Sequence, residues 1–163
     1  MNYESKRMKE QRRAGASTEE LFLYVINVLG KLNTNFKNIR RATVNENKYQ
    51  HIDFFINGIG YDVKHRDFCD QVWLEAKGNY GHDGWLLGKA KYIVMFYKEI
   101  NEFIFYKREN LMKFARQFKQ KSDLKVYYRW YTRKKWNRKD LCLLVKKSDI
   151  QHLEAYKIKV DKL

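Results

Sequence analysis

The chain has 163 residues, 44% of them hydrophobic and 16% aromatic, which is enough apolar side chain for a core and argues against wholesale disorder. Lys and Arg number 34 against 19 Asp and Glu, a formal charge of +15 that a polyanionic partner would neutralise: nucleic acid first, an anionic membrane surface second. Two cysteines, Cys69 and Cys142, with no CxxC pair and no histidine cluster, argue against a zinc site or a disulfide scaffold and fit a reducing cytoplasm.

Residues 1–14 are polar and basic and form either a helical extension or a flexible arm, with Lys6, Arg7, Arg12 and Arg13 as candidate nucleic-acid contacts. Ser17-Thr18-Glu19-Glu20 then reads as a capping box, Ser17 at the N-cap and Glu20 at N3. Leu21, Tyr24, Val25, Val28 and Leu29 follow at helical spacing, predicting a helix to about Leu32. From Phe36 the pattern becomes that of strands. Ile39–Val44 is the first; His51–Ile56 and Ile59–His65 alternate on either side of Asn57-Gly58, a two-residue hairpin turn signal. Val72–Lys77 is another strand. A Gly-rich stretch then ends in one helical turn at Trp85-Leu86-Leu87, before buried strands at Tyr92–Tyr97 and Phe103–Tyr106. Leu111–Lys119 reads as an amphipathic helix, Leu124–Tyr131 and Leu141–Val145 as late strands, and Ser148 as the cap of a last short helix. Without proline, repeat or linker, the chain reads as one mixed α/β (α+β) domain over residues 1–163. No apolar run approaches the ~20 residues of a bilayer span, so no membrane partner is expected.

The hairpin carries the chemistry. Paired outward from Asn57-Gly58, Ile56 faces Ile59, Phe55 faces Gly60, Phe54 faces Tyr61 and Asp53 faces Asp62, with opposed Cβ atoms about 5 Å apart. Lys64 lies two residues further on the same face, opposite His51, which makes His51 the best placed of the histidines here. Ile52, Phe54, Ile56, Ile59, Tyr61 and Val63 form the core face. A four-residue turn slides this register but keeps Asp53, Asp62 and Lys64 together; a three-residue turn without a bulge does not. Opposed carboxylates repel unless a cation lies between them, and hard oxygen ligands at this spacing suit Mg²⁺ or Mn²⁺. Such an ion can activate water and stabilise a leaving oxygen, while the lysine supplies a point charge to a phosphoryl transition state. An exposed hairpin with ordinary charges is the alternative. Glu75-Ala76-Lys77 repeats the acidic-x-Lys pattern, so Glu75 is a third ligand, or the main one, if its strand neighbours the hairpin, and Lys77 is then a second catalytic cation.

These residues resemble the PD-(D/E)XK nuclease superfamily, and the stretch from Glu75 to Phe96 is similar to its small phage-type members. The likeness follows element order over roughly residues 17–97. It implies a restriction-endonuclease-like core of helix, three-stranded antiparallel meander, helical connection and further strands. Some members, including Holliday-junction resolvases, add a helix carboxylate, for which Glu20, and after it Glu19, is the candidate. Ile52 stands where many members have proline. The resemblance implies a Mg²⁺-dependent endodeoxyribonuclease acting on DNA, branched or junction DNA included, in a bacterial cytoplasm; many relatives are homodimers. An RNA-acting nuclease and a non-catalytic nucleic-acid-binding protein on a nuclease-like fold remain alternatives. Gly78-Asn79-Tyr80-Gly81 lacks a following GK[ST], so no nucleotide cofactor is expected.

Cations and aromatics interleave over Lys125–Lys139. Arg129, Arg133, Lys134, Lys135 and Arg138 are candidate phosphate contacts, and an exposed Tyr or Trp there could stack on a base.

Overall fold

A computed structural model describes residues 6–32, 36–68, 70–78, 80–132 and 140–160, with the side chains of residues 6–9, 11, 12 and 32 excepted. Helix α1 (Lys6–Leu32) is followed by β1 (Ile39–Arg41), α2 (Val44–Gln50), β2 (Phe54–Ile56), β3 (Ile59–Arg66) and β4 (Gln71–Lys77). A 3₁₀ turn at Trp85–Leu87 leads to β5 (Tyr92–Tyr97) and, after a second such turn, β6 (Glu102–Lys107) and α3 (Arg108–Ala115). The chain ends with β7 (Lys121–Ser122), β8 (Trp130–Thr132), β9 (Leu141–Lys146), α4 (Lys147–Ile150) and β10 (Glu154–Lys159). Among the described residues the mixture of four α-helices and two sheets is α+β, as the pattern predicts.

The larger sheet has the order β1-β2-β3-β5-β6-β10 and the smaller β4-β9-β8-β7. Strands β1, β2 and β3 are an antiparallel meander, and β3 pairs in parallel with β5. A parallel pair needs a long crossover. Here the crossover visits the second sheet as β4 before it returns, so the strand carrying Asp62 and the strand carrying Glu75 belong to different layers.

Two cores follow from the alternation of β3 and β5. Phe22, Val25 and Ile26 of α1 cover one face of the larger sheet, against Phe54, Ile56, Tyr61, Val63, Phe103 and Phe105. Ile93, Met95, Tyr97, Ile104 and Tyr106 on the opposite face pack with Val72, Leu74, Leu143 and Val145 of the smaller sheet. The result is helix on sheet on sheet.

Several expectations need correction. Ser17 caps nothing: α1 runs through it from Lys6, so from Lys6 onward the basic N-terminal segment is helical. The strand expected to reach Val44 ends at Arg41, because Thr43 and Glu46 form a capping box that starts α2: the Glu46 amide donates to the Thr43 hydroxyl at 3.3 Å and the Thr43 amide to the Glu46 carboxylate at 2.7 Å. His51 closes α2 in the left-handed region with φ 52° and does not oppose Lys64. Ile52 leaves the hairpin's core face and packs in the other core, its side chain against Gly60. Helix α3 starts and ends earlier than expected, and Ser148 lies inside α4 instead of capping it. Within the expected Leu124–Tyr131 only Trp130 and Tyr131 belong to a strand, β8, and β10 lies where no strand is expected.

Candidate active site

The β2–β3 turn is the one its residues demand. Asn57 and Gly58 both take positive φ, 51° and 77°, which gives a two-residue hairpin whose twist suits the strands. Its register pairs Ile56 with Ile59, Phe55 with Gly60 and Phe54 with Tyr61, as expected. The Asp53 amide donates to the Tyr61 carbonyl at 2.8 Å and the Ala42 amide to the Asp53 carbonyl at 2.8 Å, fixing Asp53 where β1, β2 and β3 meet.

Both Asp53 oxygens are occupied: one accepts from the Asn47 side-chain amide at 2.5 Å, the other from the Val63 backbone amide at 2.6 Å. Asp62 is 1% exposed. One of its oxygens accepts from the Lys64 ammonium at 2.5 Å, and the other, also buried, has no partner among the described residues. Burial, reinforced by the neighbouring Asp53 charge, pushes the Asp62 carboxyl up to about 8 against the pull of Lys64. Burial disfavours the Lys64 ammonium, but the two carboxylates outweigh it and hold its pKa above the ordinary lysine value. Two carboxylates thus act on one ammonium, and a buried acceptor is left unpaired. That donor set fits a divalent cation, which would supply the missing positive charge and the missing partner.

Glu19, not Glu20, turns toward this centre. The Glu20 side chain is 68% exposed and holds the Arg41 guanidinium at 2.5 Å. Burial raises the pKa of Glu19, as does Asp53, while Lys64 and Arg41 oppose the rise. A cavity of about 880 Å³ opens beside Glu19, Lys64 and Arg66, and a smaller one of about 260 Å³ joins Glu19 to Asp53 and Asn47.

Glu75 does not neighbour the hairpin, since β4 lies in the other sheet. Burial still raises its pKa, against Lys64, His51 and Arg66, so it stands within electrostatic reach of the centre. Lys77 is exposed beside a register shift at the end of β4. Among the described residues no group of three acidic, histidine or cysteine side chains is poised to hold a metal ion, which leaves Asp53 and Asp62 as the paired carboxylates.

Two contributors escaped the sequence reading. Asn47 belongs to the unforeseen α2, whose signal was the Thr43-x-x-Glu46 box. Arg66 continues the alternation of Asp62 and Lys64; burial lowers its pKa despite Tyr97, Asp62 and Glu75, and its Nε has no partner among the described residues. His65, on the other face of β3, lies 2.8 Å from the Thr18 hydroxyl and 3.0 Å from the Asp67 carboxylate. His51 instead meets the Asp83 carbonyl at 2.7 Å.

Of the candidate nucleic-acid contacts, Arg13 and Arg129 are exposed. The side chains of Lys6, Arg7 and Arg12, and the whole of Arg133, Lys134, Lys135 and Arg138, lie outside the described residues. The aromatics before them are engaged in packing: Tyr128 stacks on Phe118 and bonds Asp149, Trp130 donates to the Phe118 carbonyl, and Tyr131 is buried. No helix among the described residues is long and apolar enough to cross a membrane. In comparisons with known proteins, no family model, no curated protein and no solved structure matches the chain.

Proposed function

We propose that the protein is a Mg²⁺-dependent (or Mn²⁺-dependent) phosphodiester hydrolase acting on DNA, built on a restriction-endonuclease-like core. The observation that carries this reading is the buried Asp62 carboxylate beside Asp53, with one oxygen on Lys64 and the other unpartnered. Support comes from α1, the antiparallel meander with Asp53 just before β2 and Asp62-Val63-Lys64 on β3, and the parallel pairing of β3 with β5, although β4 and a 3₁₀ turn stand between those strands in place of the implied helical connection. The charge of +15 supports a polyanionic substrate.

Asp53 and Asp62 would hold the cation, with water and substrate phosphate completing its shell. When bound, the ion supplies Lewis-acid stabilisation of the charge that develops on the phosphate. The chain's own groups do the rest. Asn47 and the Val63 amide keep Asp53 in one orientation. Lys64 offers its ammonium to a phosphate oxygen, and Arg66, two residues along the same face, adds a second cation for the same charge. Glu19, half buried and with a raised pKa, is suited to take a proton from an attacking water.

Asp62→Asn is nearly isosteric and removes the charge that the ion needs. It is expected to lower cleavage of plasmid DNA in Mg²⁺ by about 10²-fold or more, with DNA affinity in EDTA retained. Equal cleavage by the two proteins would sink the assignment. Salt-sensitive binding by the wild type with no cleavage in either metal would favour the non-catalytic alternative.

A further inference from the structure

Two of the most exposed aromatic side chains converge on a single cleft. Tyr49, 68% exposed near the end of α2, and Tyr80, 83% exposed in the loop after β4, line a cavity of about 480 Å³. Isolated surface aromatics are unremarkable, but a pair that frames one cavity leaves ring surface for a planar partner; the Tyr49 ring also meets the Lys48 ammonium, 5.0 Å from its centroid.

Both rings sit on built scaffolds. Helix α2 is fixed by its capping box and by Arg40, whose guanidinium meets both Glu46 oxygens at 2.9 Å. The Tyr80 loop is closed by the Gly78 amide on the His82 carbonyl at 3.0 Å and the Gly81 amide on the Gly78 carbonyl at 2.9 Å, with Gly81 at φ 80°. The two scaffolds are tied together, since His51 at the end of α2 contacts the Asp83 carbonyl. Gly88 brings the turn after Trp85–Leu87 close to the end of α2, since a Cβ there would fall 2.7 Å from the His51 Cβ. The cleft is therefore preformed.

Its surroundings say what enters. Lys48 borders both this cleft and the smaller cavity that contains Glu19 and Asp53, so a chain threading from one to the other passes an ammonium on its way to the carboxylate pair. Glu75 and Asp83 also line the cleft, and carboxylates are able to accept from exocyclic amines. Aromatic faces, a cation at the entrance and acceptors in the lining match a nucleotide: base on the rings, phosphate at Lys48.

We propose that the cleft between α2 and the Gly78–Asp83 loop is a pocket for an unpaired nucleobase, stacked on Tyr49 and Tyr80 beside the scissile phosphate. The proposal rests on the hydrolase reading and narrows its substrate to nucleic acid with an unpaired nucleotide at the cut site: a flap, bulge, junction or single strand. A base inside a duplex would first have to leave its stack.

The test uses the full chain in EDTA, with oligonucleotides carrying 2-aminopurine either unpaired or within a duplex, in DNA and RNA forms. Wild type is expected to quench the unpaired probe and to bind it more tightly than the duplex. Tyr49→Ala and Tyr80→Ala should each weaken that binding about tenfold, and Tyr49→Phe and Tyr80→Phe should retain it, because the ring face does the stacking. Quenching with either sugar supports the pocket, and the two arms assign which nucleic acid it takes. Equal affinity for paired and unpaired probes, or alanine variants that bind like wild type, overturns it. Cleavage in Mg²⁺ is scored separately: normal cleavage without quenching removes the pocket alone, and quenching without cleavage removes the hydrolase reading alone.

Discussion

Asp62 is a carboxylate placed where a carboxylate is costly. Its folded pKa of about 8 lies far above the ordinary value of 3.8, so the metal-free folded chain binds a proton that the unfolded chain has released over the interval between them. Stability of the metal-free protein should therefore fall as pH rises from about 4 to about 8, and level off above that. Asp62→Asn has no proton to lose and should flatten this part of the profile. In EDTA its melting temperature at pH 8 should exceed that of wild type by several degrees, since about 1 kcal/mol moves the midpoint of a chain this size by about 2–4 °C. Parallel profiles for the two proteins in a pH-resolved melting series would show that Asp62 is not the source of the slope. A substitution that stabilises the fold while abolishing the reaction is the signature of a site built against its own comfort.

At the scale of elements, α2 links the surface to the centre. Thr43→Ala removes its N-cap oxygen and should cost about 1 kcal/mol in urea unfolding, while Thr43→Ser should recover most of that. Because the same helix carries Asn47 to Asp53, Thr43→Ala should also reduce cleavage more than its small stability loss explains. Activity tracking stability alone would separate the helix from the chemistry. This helix also shows where sequence reading stopped. The turn and the register of Phe54–Ile56 on Ile59–Tyr61 were legible, because Asn-Gly and a period of two are purely local signals; the departure of His51 and Ile52 from that register was not. The Thr43-x-x-Glu46 box was equally local, yet it was passed over because Ile39–Val44 reads as one strand. Ser17-x-x-Glu20 was the reverse case: a valid cap signal overridden by a helix that had already started. The position of β4 was not legible at all, since no local pattern tells whether a strand joins the sheet of its neighbour or opens a second one. Glu75, a ligand on the condition that its strand neighbours the hairpin, is found on a strand of the other sheet. Glu20 and Glu19 differ by one residue, about 100° around a helix, and only the packing of Phe22, Val25 and Ile26 decides which of them faces inward.

The whole molecule presents an excess of cations to any polyanion. If DNA is the substrate, log affinity should fall linearly with log salt at a slope of about −0.9 per phosphate neutralised. Fluorescence anisotropy with a labelled duplex between 50 and 200 mM salt would read it. A flat response would show that the charge serves another purpose. Arg13→Ala and Arg129→Ala should each make the slope shallower by up to about 1 if those residues touch phosphate.

The central place of β3 has a further consequence for how the molecule opens. Its first residues, Ile59–Tyr61, pair with β2 and Tyr61–Arg66 pair with β5, so the strand is flanked on both sides at Tyr61, with further strands beyond each. Edge strands and frayed helix ends can detach at little cost, whereas an interior strand is released only when the sheet itself comes apart. Amide deuteration around Tyr61, where β3 is paired on both sides, should accordingly be among the slowest in the protein, while β1, β7 and β10 exchange early. The carboxylate pair would then keep its spacing through every breathing motion of the surface around it, and heat should extinguish the reaction only at the temperature where the fold is lost.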